Sequence, residues 1–592
     1  MWMKSLVERY EKLEKLEDSD IFPIMHITKA MKKGDIELTL NGEGVCIRAK
    51  TLGEAKDMII PATLDSGSRS GSAIFPHALF DDMSYLALND KKREMYLKQL
   101  NEWRGENKKL NSIYSYVQEN RFVEDMEKFG ITHTDKTFIK FKVEIKGDLE
   151  ADLSKDPIVI NHWIDYYSNL ELFKKEDLDY ITGKRSKVSA KHPKGTNKNT
   201  NSAVLVVSDE KNIRRNSIGF NSSQKAHAML RYLVANYGFK CDTGVIVTYS
   251  LGEDINLPKW YSSSDGIIEG VEDDFGDIAT HEESIETILD KNYAKAMRNA
   301  LLGLGKSENL KKHTNRIAII ALDAATTGRL SVTYYQELDA HEFHEKIVNW
   351  HEKCNWHMER WMGDKKNRTK VEYISSPKID DIIKVAFGDT KGDSYTKIQK
   401  RAREQILHSM FSGKPIDKGY VTSALRRVNS PFSFEEWEYR SYVNIACALL
   451  KMYYSNKGDE ISVKLEEDRT DRSYLYGRLL AYAEKIESWA RSKRGEKNYV
   501  TNSLRYRSRF SQKPFSTWQL IDSQLNPYRE ILKGMVYQNQ IDEIKALFES
   551  LEEFENNIPL DGKYLMGYSL QRLELNPRKE LEENIEEEIN DE

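Results

Sequence analysis

From about Ala340 onward apolar residues recur at three- and four-residue steps, and that period confines the second half of the chain to packed helices. The plainest case is DRSYLYGRLLAYAEKIESWA, Asp471 to Ala490, where Leu475, Leu479, Tyr482, Ala483, Ile486 and Trp489 line one stripe and Asp471 or Ser473 caps the start. Further helices are expected at Thr517 to Gln538 and at Gln540 to Glu555, the latter with Ile541, Ile544, Leu547, Phe548, Leu551 and Phe554 on one face. The first half reads differently. Ile36 to Leu40 alternates, Val45 to Arg48 and Met58 to Ile60 follow as strands, and Ala203 to Val207, Gly244 to Tyr249, Ile317 to Leu322 and Leu330 to Tyr335 add more. A helix runs through Ala226, Met229, Leu230, Leu233 and Val234 to Gly238. The expected class is α+β: mixed N-terminal and central lobes with antiparallel sheet elements, then an all-α bundle.

At 592 residues the chain is too long for one ordinary core, and roughly 150 residues per domain suggests about three or four lobes. Composition places these at 1–150, 151–340, 341–455 and 456–592. Cys46, Cys241, Cys354 and Cys447 are widely spaced with no pairing pattern, which points to a reducing compartment. No apolar run reaches the length of a signal segment or a membrane span, so a cytoplasmic protein without a membrane partner is expected.

Net charge is −5, yet its distribution matters more than its sum. Acid is gathered into Gly270 to Glu283, Glu549 to Glu555 and Glu580 to Glu592, leaving two basic runs. Lys184, Arg185, Lys187, Lys191, Lys194 and Lys198 lie among Ser, Thr, Gly and Asn with no acid between them, and Arg214 and Arg215 follow; such a loop can meet phosphates through cations and amides, or be a solvated charged loop. Arg491, Lys493, Arg494, Lys497, Arg505, Arg507 and Arg509 are interspersed with Tyr499, Tyr506 and Phe510, a pattern that suits single-stranded nucleic acid and is read so in preference to Tyr506 and Phe510 as core with the cations merely solvated. The Asp65 to Ser72 loop, DSGSRSGS, is a third candidate, since its small residues let backbone approach a groove; a turn between strands explains it too. His341, His344, His351, Cys354 and His357 raise the alternative of a metal-dependent nucleic-acid-processing enzyme, but neither His-Glu-x-x-His nor paired Cys-x-x-Cys is present, and helix packing with Trp350, Trp356 and Trp361 accounts for them. No Walker loop, nucleophile elbow or His-Asp nuclease signature occurs. No cofactor, metal or catalytic residue is assigned, and a non-enzyme is expected.

Several segments together resemble, in order, the large subunit of the type I-C CRISPR surveillance complex (Cascade). They are PATLDSGSRSGSAIFPHALFDDMSYL from Pro61, TGKRSKVSAKHPKG from Thr182, SSQKAHAMLRYLVANYG from Ser222, GRLSVTYYQEL from Gly328, the Trp350-His351 to Trp356 stretch, SGKPI from Ser412, the helix at Asp471, and GYSLQR from Gly567. The resemblance implies antiviral defence, with CRISPR RNA (its 5′ handle), target double-stranded DNA, the displaced strand, the Cascade backbone and handle-binding subunits and a recruited helicase-nuclease as partners. It makes Arg69 and Ser70, with His77 nearby, the candidates for reading the protospacer-adjacent motif (PAM). It assigns the middle basic loop to duplex or handle phosphates and the Arg491 to Arg509 run to the displaced strand. It also implies a separately translated C-terminal small subunit, for which Met452 is the candidate start. The chain departs from the pattern at Tyr180 and Ile181, where the family often has cysteine, and at His77, where it tends to have asparagine.

Overall fold

The computed structural model describes residues 2–16, 23–69, 73–170, 176–188, 191–196, 203–206, 217–252, 257–267, 316–326, 328–362, 369–389, 392–497 and 499–576. The protein is α+β, with small sheets and a helical C-terminal region. It divides into two compact units, one of residues 1–254 and 316–338, the other of 255–315 and 339–592.

In the first unit, strands β2 (Ile36–Asn41), β3 (Cys46–Thr51), β5 (Asp81–Asp82) and β6 (Phe138–Glu144) form a sheet in the order β3-β2-β6-β5, with β1 (His26–Met31) and β4 (Lys56–Pro61) paired separately. β2 is central, antiparallel to β3 and parallel to β6, so Ile36, Leu38 and Leu40 are all fully buried. The hairpin of β7 (Glu176–Asp179) and β8 (Lys184–Lys187) follows. A second four-stranded sheet, ordered β12-β11-β10-β9, is built from β9 (Phe239–Cys241), β10 (Gly244–Ser250), β11 (Arg316–Thr326) and β12 (Arg329–Asp339). The strand expected at Ala203 to Val207 shrinks, within the described 203–206, to bridges at Val204. The helix Trp2–Leu13 buries Met3, Leu6, Val7, Tyr10 and Leu13 against the helix Phe220–Tyr237. Residues from 1–150 and from 151–340 thereby share one core, in which Leu6, Leu38, Phe141, Leu230 and Ile320 all take part.

The second unit is mostly helical, but its strand content after Ala340 is not zero. The helix Ala340–Lys353 ends at Cys354, and β13 (Trp356–Met362) pairs antiparallel with β14 (Thr369–Ser375). Trp356 and Trp361 therefore sit on a strand, where helix packing was expected for them. Long helices follow at Asp393–Ser412, Glu436–Ser455, Arg472–Lys493 and Lys563–Glu574. The expected helix over Thr517 to Gln538 breaks into Pro514–Gln524 and Asn526–Leu532, because Pro527 has no amide to continue the ladder and instead opens the next helix. Gln540 to Glu555 is likewise split, into Gln538–Ala546 and Leu551–Glu555, with Ser550 capping the second.

The closest helix crossing joins Arg472–Lys493 to Lys563–Glu574 at two glycines. A Cβ at Gly477 would overlap the Tyr564 carbonyl and lie 2.7 Å from the Tyr568 amide nitrogen; one at Gly567 would press on the Tyr474 carbonyl group. These glycines serve for backbone approach, and they explain why the segments from Asp471 and Gly567 carry them.

Candidate nucleic-acid interface

The middle basic run is held by buried polar side chains that no charge count reveals. Asp179, almost fully buried at the end of β7, accepts hydrogen bonds from the amides of Ile181 and Gly219 and from the hydroxyls of Thr182 and Ser222. Burial raises its pKa, and these donors outweigh burial, so the carboxyl titrates below its ordinary value. Gly219 and Ser222 open the helix Phe220–Tyr237, so Asp179 ties the hairpin to that helix. Thirteen residues beyond Asp179, buried His192 hydrogen bonds the Ser223 hydroxyl through Nδ1. Burial pushes His192 down to about 4 and keeps it neutral. Arg231, on the same helix, donates to the carbonyls of Lys194, Gly195 and His26. The Thr-Gly, His-Pro-x-Gly and Ser-x-Lys-Ala-His segments are thus one hydrogen-bonded clamp.

Lys184, Arg185 and Lys187 project from this support as exposed side chains on β8. Lys194 is half-buried, while Lys191 is exposed and pairs with Asp65 at 2.8 Å. That ion pair brings the basic loop against the start of the Gly/Ser loop, joining two of the candidate regions. Lys198, Arg214 and Arg215 lie outside the described residues.

The Gly/Ser loop has a different character from the one expected. Arg69 clamps buried Asp81 with both terminal nitrogens, reaches Asp82 at 3.1 Å and the Phe75 carbonyl at 3.1 Å, and stacks 4.2 Å over the Tyr85 ring. Burial opposes its charge and the Asp81 carboxylate outweighs burial, so its pKa is raised. The guanidinium is 17% exposed and holds the loop closed. His77 is buried, its amide bonded to Asp81, and burial drives its ring well below the ordinary histidine pKa. Ser70 lies outside the described residues.

In the second basic run the cations separate into two kinds. Lys493, Arg494, Lys497, Arg505 and Arg509 are exposed. Arg491 is engaged with Glu487, Glu496 and the Tyr528 hydroxyl. Arg507 is fully buried, its Nη1 on the Tyr439 hydroxyl and its guanidinium 3.9 Å above the Tyr568 ring. It is a core residue, which corrects its assignment to the displaced strand. Tyr506 is half-buried and Phe510 fully buried.

The histidine cluster is dispersed among protein partners. His344 bonds the Ala340 carbonyl, His351 the Ser376 hydroxyl, and His357 the Val463 carbonyl at 2.6 Å. Cys354 is fully buried, which pushes its thiol up to about 12. Among the described residues no three His, Cys, Asp or Glu side chains are grouped to hold a metal ion. No described helix is long and apolar enough to cross a membrane.

The family model described as CRISPR-associated protein (Cas_Csd1) matches residues 6–576, nearly the whole chain. The protein belongs to that family of CRISPR-associated proteins. A search of curated proteins found no match.

Proposed function

We propose that the protein is the non-catalytic large subunit of a type I-C Cascade, contributing PAM recognition, local duplex opening and retention of the displaced strand, and licensing the helicase-nuclease. The carrying observation is the clamp of Asp179, His192 and Arg231, which presents Lys184, Arg185 and Lys187 on a fixed support beside the Gly/Ser loop. Fixed cations suit backbone contact, because phosphates position a protein on a duplex while guide pairing supplies sequence. Since Arg69 and His77 are turned inward, PAM reading on this proposal falls to the loop's backbone and to neighbours such as Ser70. The exposed Lys493, Arg494, Lys497, Arg505 and Arg509 are the contacts for the displaced strand. Met452 is buried near the end of the helix Glu436–Ser455, and an internal start there supplies the small subunit.

The test is purification of the tagged chain from its host at gentle salt, with sequencing of bound RNA and intact mass of every protein. Guide RNAs with repeat-derived ends and a C-terminal fragment support the proposal. A chain that co-purifies with no RNA overturns it.

A further inference from the structure

In the helical unit a pocket of about 480 Å³ opens between the helix Arg472–Lys493, the segment 499–504, the last turn of Lys563–Glu574 and the side chain of Arg440. That volume lies within the range of small-molecule sites and exceeds what a single ion needs. Its wall is polar and carries three cations, Arg440, Lys485 and Arg572, against two carboxylates, Glu372 and Glu484, with Tyr499, Thr501 and Asn576 beside them. Each guanidinium is only partly used: Arg572 gives its Nε to Glu484 at 3.1 Å, and Arg440 gives one terminal nitrogen to Glu359 at 3.3 Å. A guanidinium has five N–H donors, so most of each fork remains for something else. Lys485 has no carboxylate partner among the described residues, and its ammonium donates to the side-chain amide oxygen of Asn576 at 2.7 Å. Burial and the nearby Arg572 both lower its pKa.

We infer that this pocket seats one nucleotide of a single-stranded nucleic acid, with a phosphate between Lys485 and Arg572. Three observations select a strand over a free small anion. The room is that of a nucleoside and its phosphate. Tyr499 supplies an aromatic wall of the kind that unpaired bases use. The lining segment 499–504 is flanked in sequence by exposed Lys497 and Arg505, further cations for the phosphates of a strand. The inference rests on the proposed retention of the displaced strand and gives that surface a defined nucleotide seat.

The experiment is fluorescence anisotropy of a labelled 20-nucleotide oligothymidylate with the full chain, over a range of salt, for the unaltered protein and for Lys485→Glu, Lys485→Gln, Arg505→Glu and Lys397→Glu. Lys397 is exposed on the Asp393–Ser412 helix outside the pocket and controls for net charge. Loss of one charge-assisted phosphate contact weakens binding about tenfold. It lowers the salt slope by about 0.7. Lys485→Gln and Lys485→Glu are expected to show this with unchanged thermal unfolding, and Lys397→Glu is not. If Arg505→Glu weakens binding while both Lys485 variants bind as the parent does, the pocket is overturned and the strand surface stands. If the parent does not bind the oligonucleotide, both fall. Lys485-dependent binding of thymidine monophosphate with no effect on the oligonucleotide also overturns the inference, assigning the pocket to a free nucleotide.

Discussion

Replacing Gly477 by alanine tests how the helical unit is held together. The new Cβ would lie 2.7 Å from the Tyr568 nitrogen and 2.8 Å from the Tyr564 carbonyl carbon, whereas ordinary contact begins near 3.4 Å. Both obstacles are backbone, so no rotamer change relieves them, and the helices must part by more than that difference of 0.7 Å, since the Tyr564 carbonyl oxygen is overlapped more deeply still. A gap of that size forfeits roughly a quarter to half of the dispersion energy across a contact. It also strains the buried Arg478 to Gln571 hydrogen bond, 2.9 Å, on the same face. Overpacking of this kind costs about 3 kcal/mol. Alanine returns about 1 kcal/mol in helix propensity. The net loss is therefore about 2 kcal/mol, read as a fall of about 0.5 M in the urea midpoint of the helical unit. Gly534→Ala, at an exposed glycine with nothing within 4 Å, should be neutral or slightly stabilising. Combining Gly477→Ala with Gly567→Ala should cost less than the sum, because one separation makes room for both. A Gly477→Ala protein as stable as the parent would refute the close-approach account.

Arg507→Glu should unfold the helical unit at lower urea, since it puts an unpaired acid among Tyr439, Tyr564 and Tyr568, whereas Arg505→Glu with Arg509→Glu should leave the midpoint unchanged and lower the salt slope of oligonucleotide binding by about 1.4. Asp179→Ala should free the basic hairpin, with tryptic cleavage at Lys184 to Lys187 about thirtyfold faster at pH 8. Because the folded Asp179 pKa is depressed, its contribution is fully present above the unfolded value, about 3.9. It is lost as pH falls through the folded value; amide protection at Ile181 and Gly219 should thus persist through pH 4 and fail only below it. Dialysis against a chelator should leave thermal unfolding unchanged, since the His344, His351 and His357 rings already serve protein partners; a drop of several degrees would restore the metal reading.

What the sequence revealed depended on whether a signal was local. The period of the Asp471 helix and the alternation of Ile36 to Leu40, Gly244 to Tyr249 and Ile317 to Leu322 are local, and the corresponding elements lie within a few residues of expectation. The β13–β14 hairpin escaped notice because Trp356, His357 and Cys354 also fit a helical spacing, and only cross-strand pairing distinguishes the two. Charge counts grouped Arg507 with Arg505 and Arg509, although Arg507 and Arg509, two apart on a short helix, face opposite ways and Tyr568 lies beside Arg507. Asp179 and Arg231 were invisible as anchors, for their partners lie 40 and 37 residues away. Arg440, Lys485, Tyr499 and Arg572 come together from four distant segments, and no spacing rule unites them.

The position of Met452 has a consequence for any chain begun there. Such a chain keeps both glycine helices and their crossing, yet leaves behind the helix that Leu450, Cys447 and Tyr439 contribute, together with Asn429. Gly562 loses the Leu450 side chain at its side, the Leu565 carbonyl loses the Cys447 thiol, and the hydroxyl of Tyr564 loses Asn429. Arg507 would then keep Tyr568 on one side and find Tyr439 missing on the other. Such a shorter chain would carry an open, half-finished wall, and burying it would take another surface.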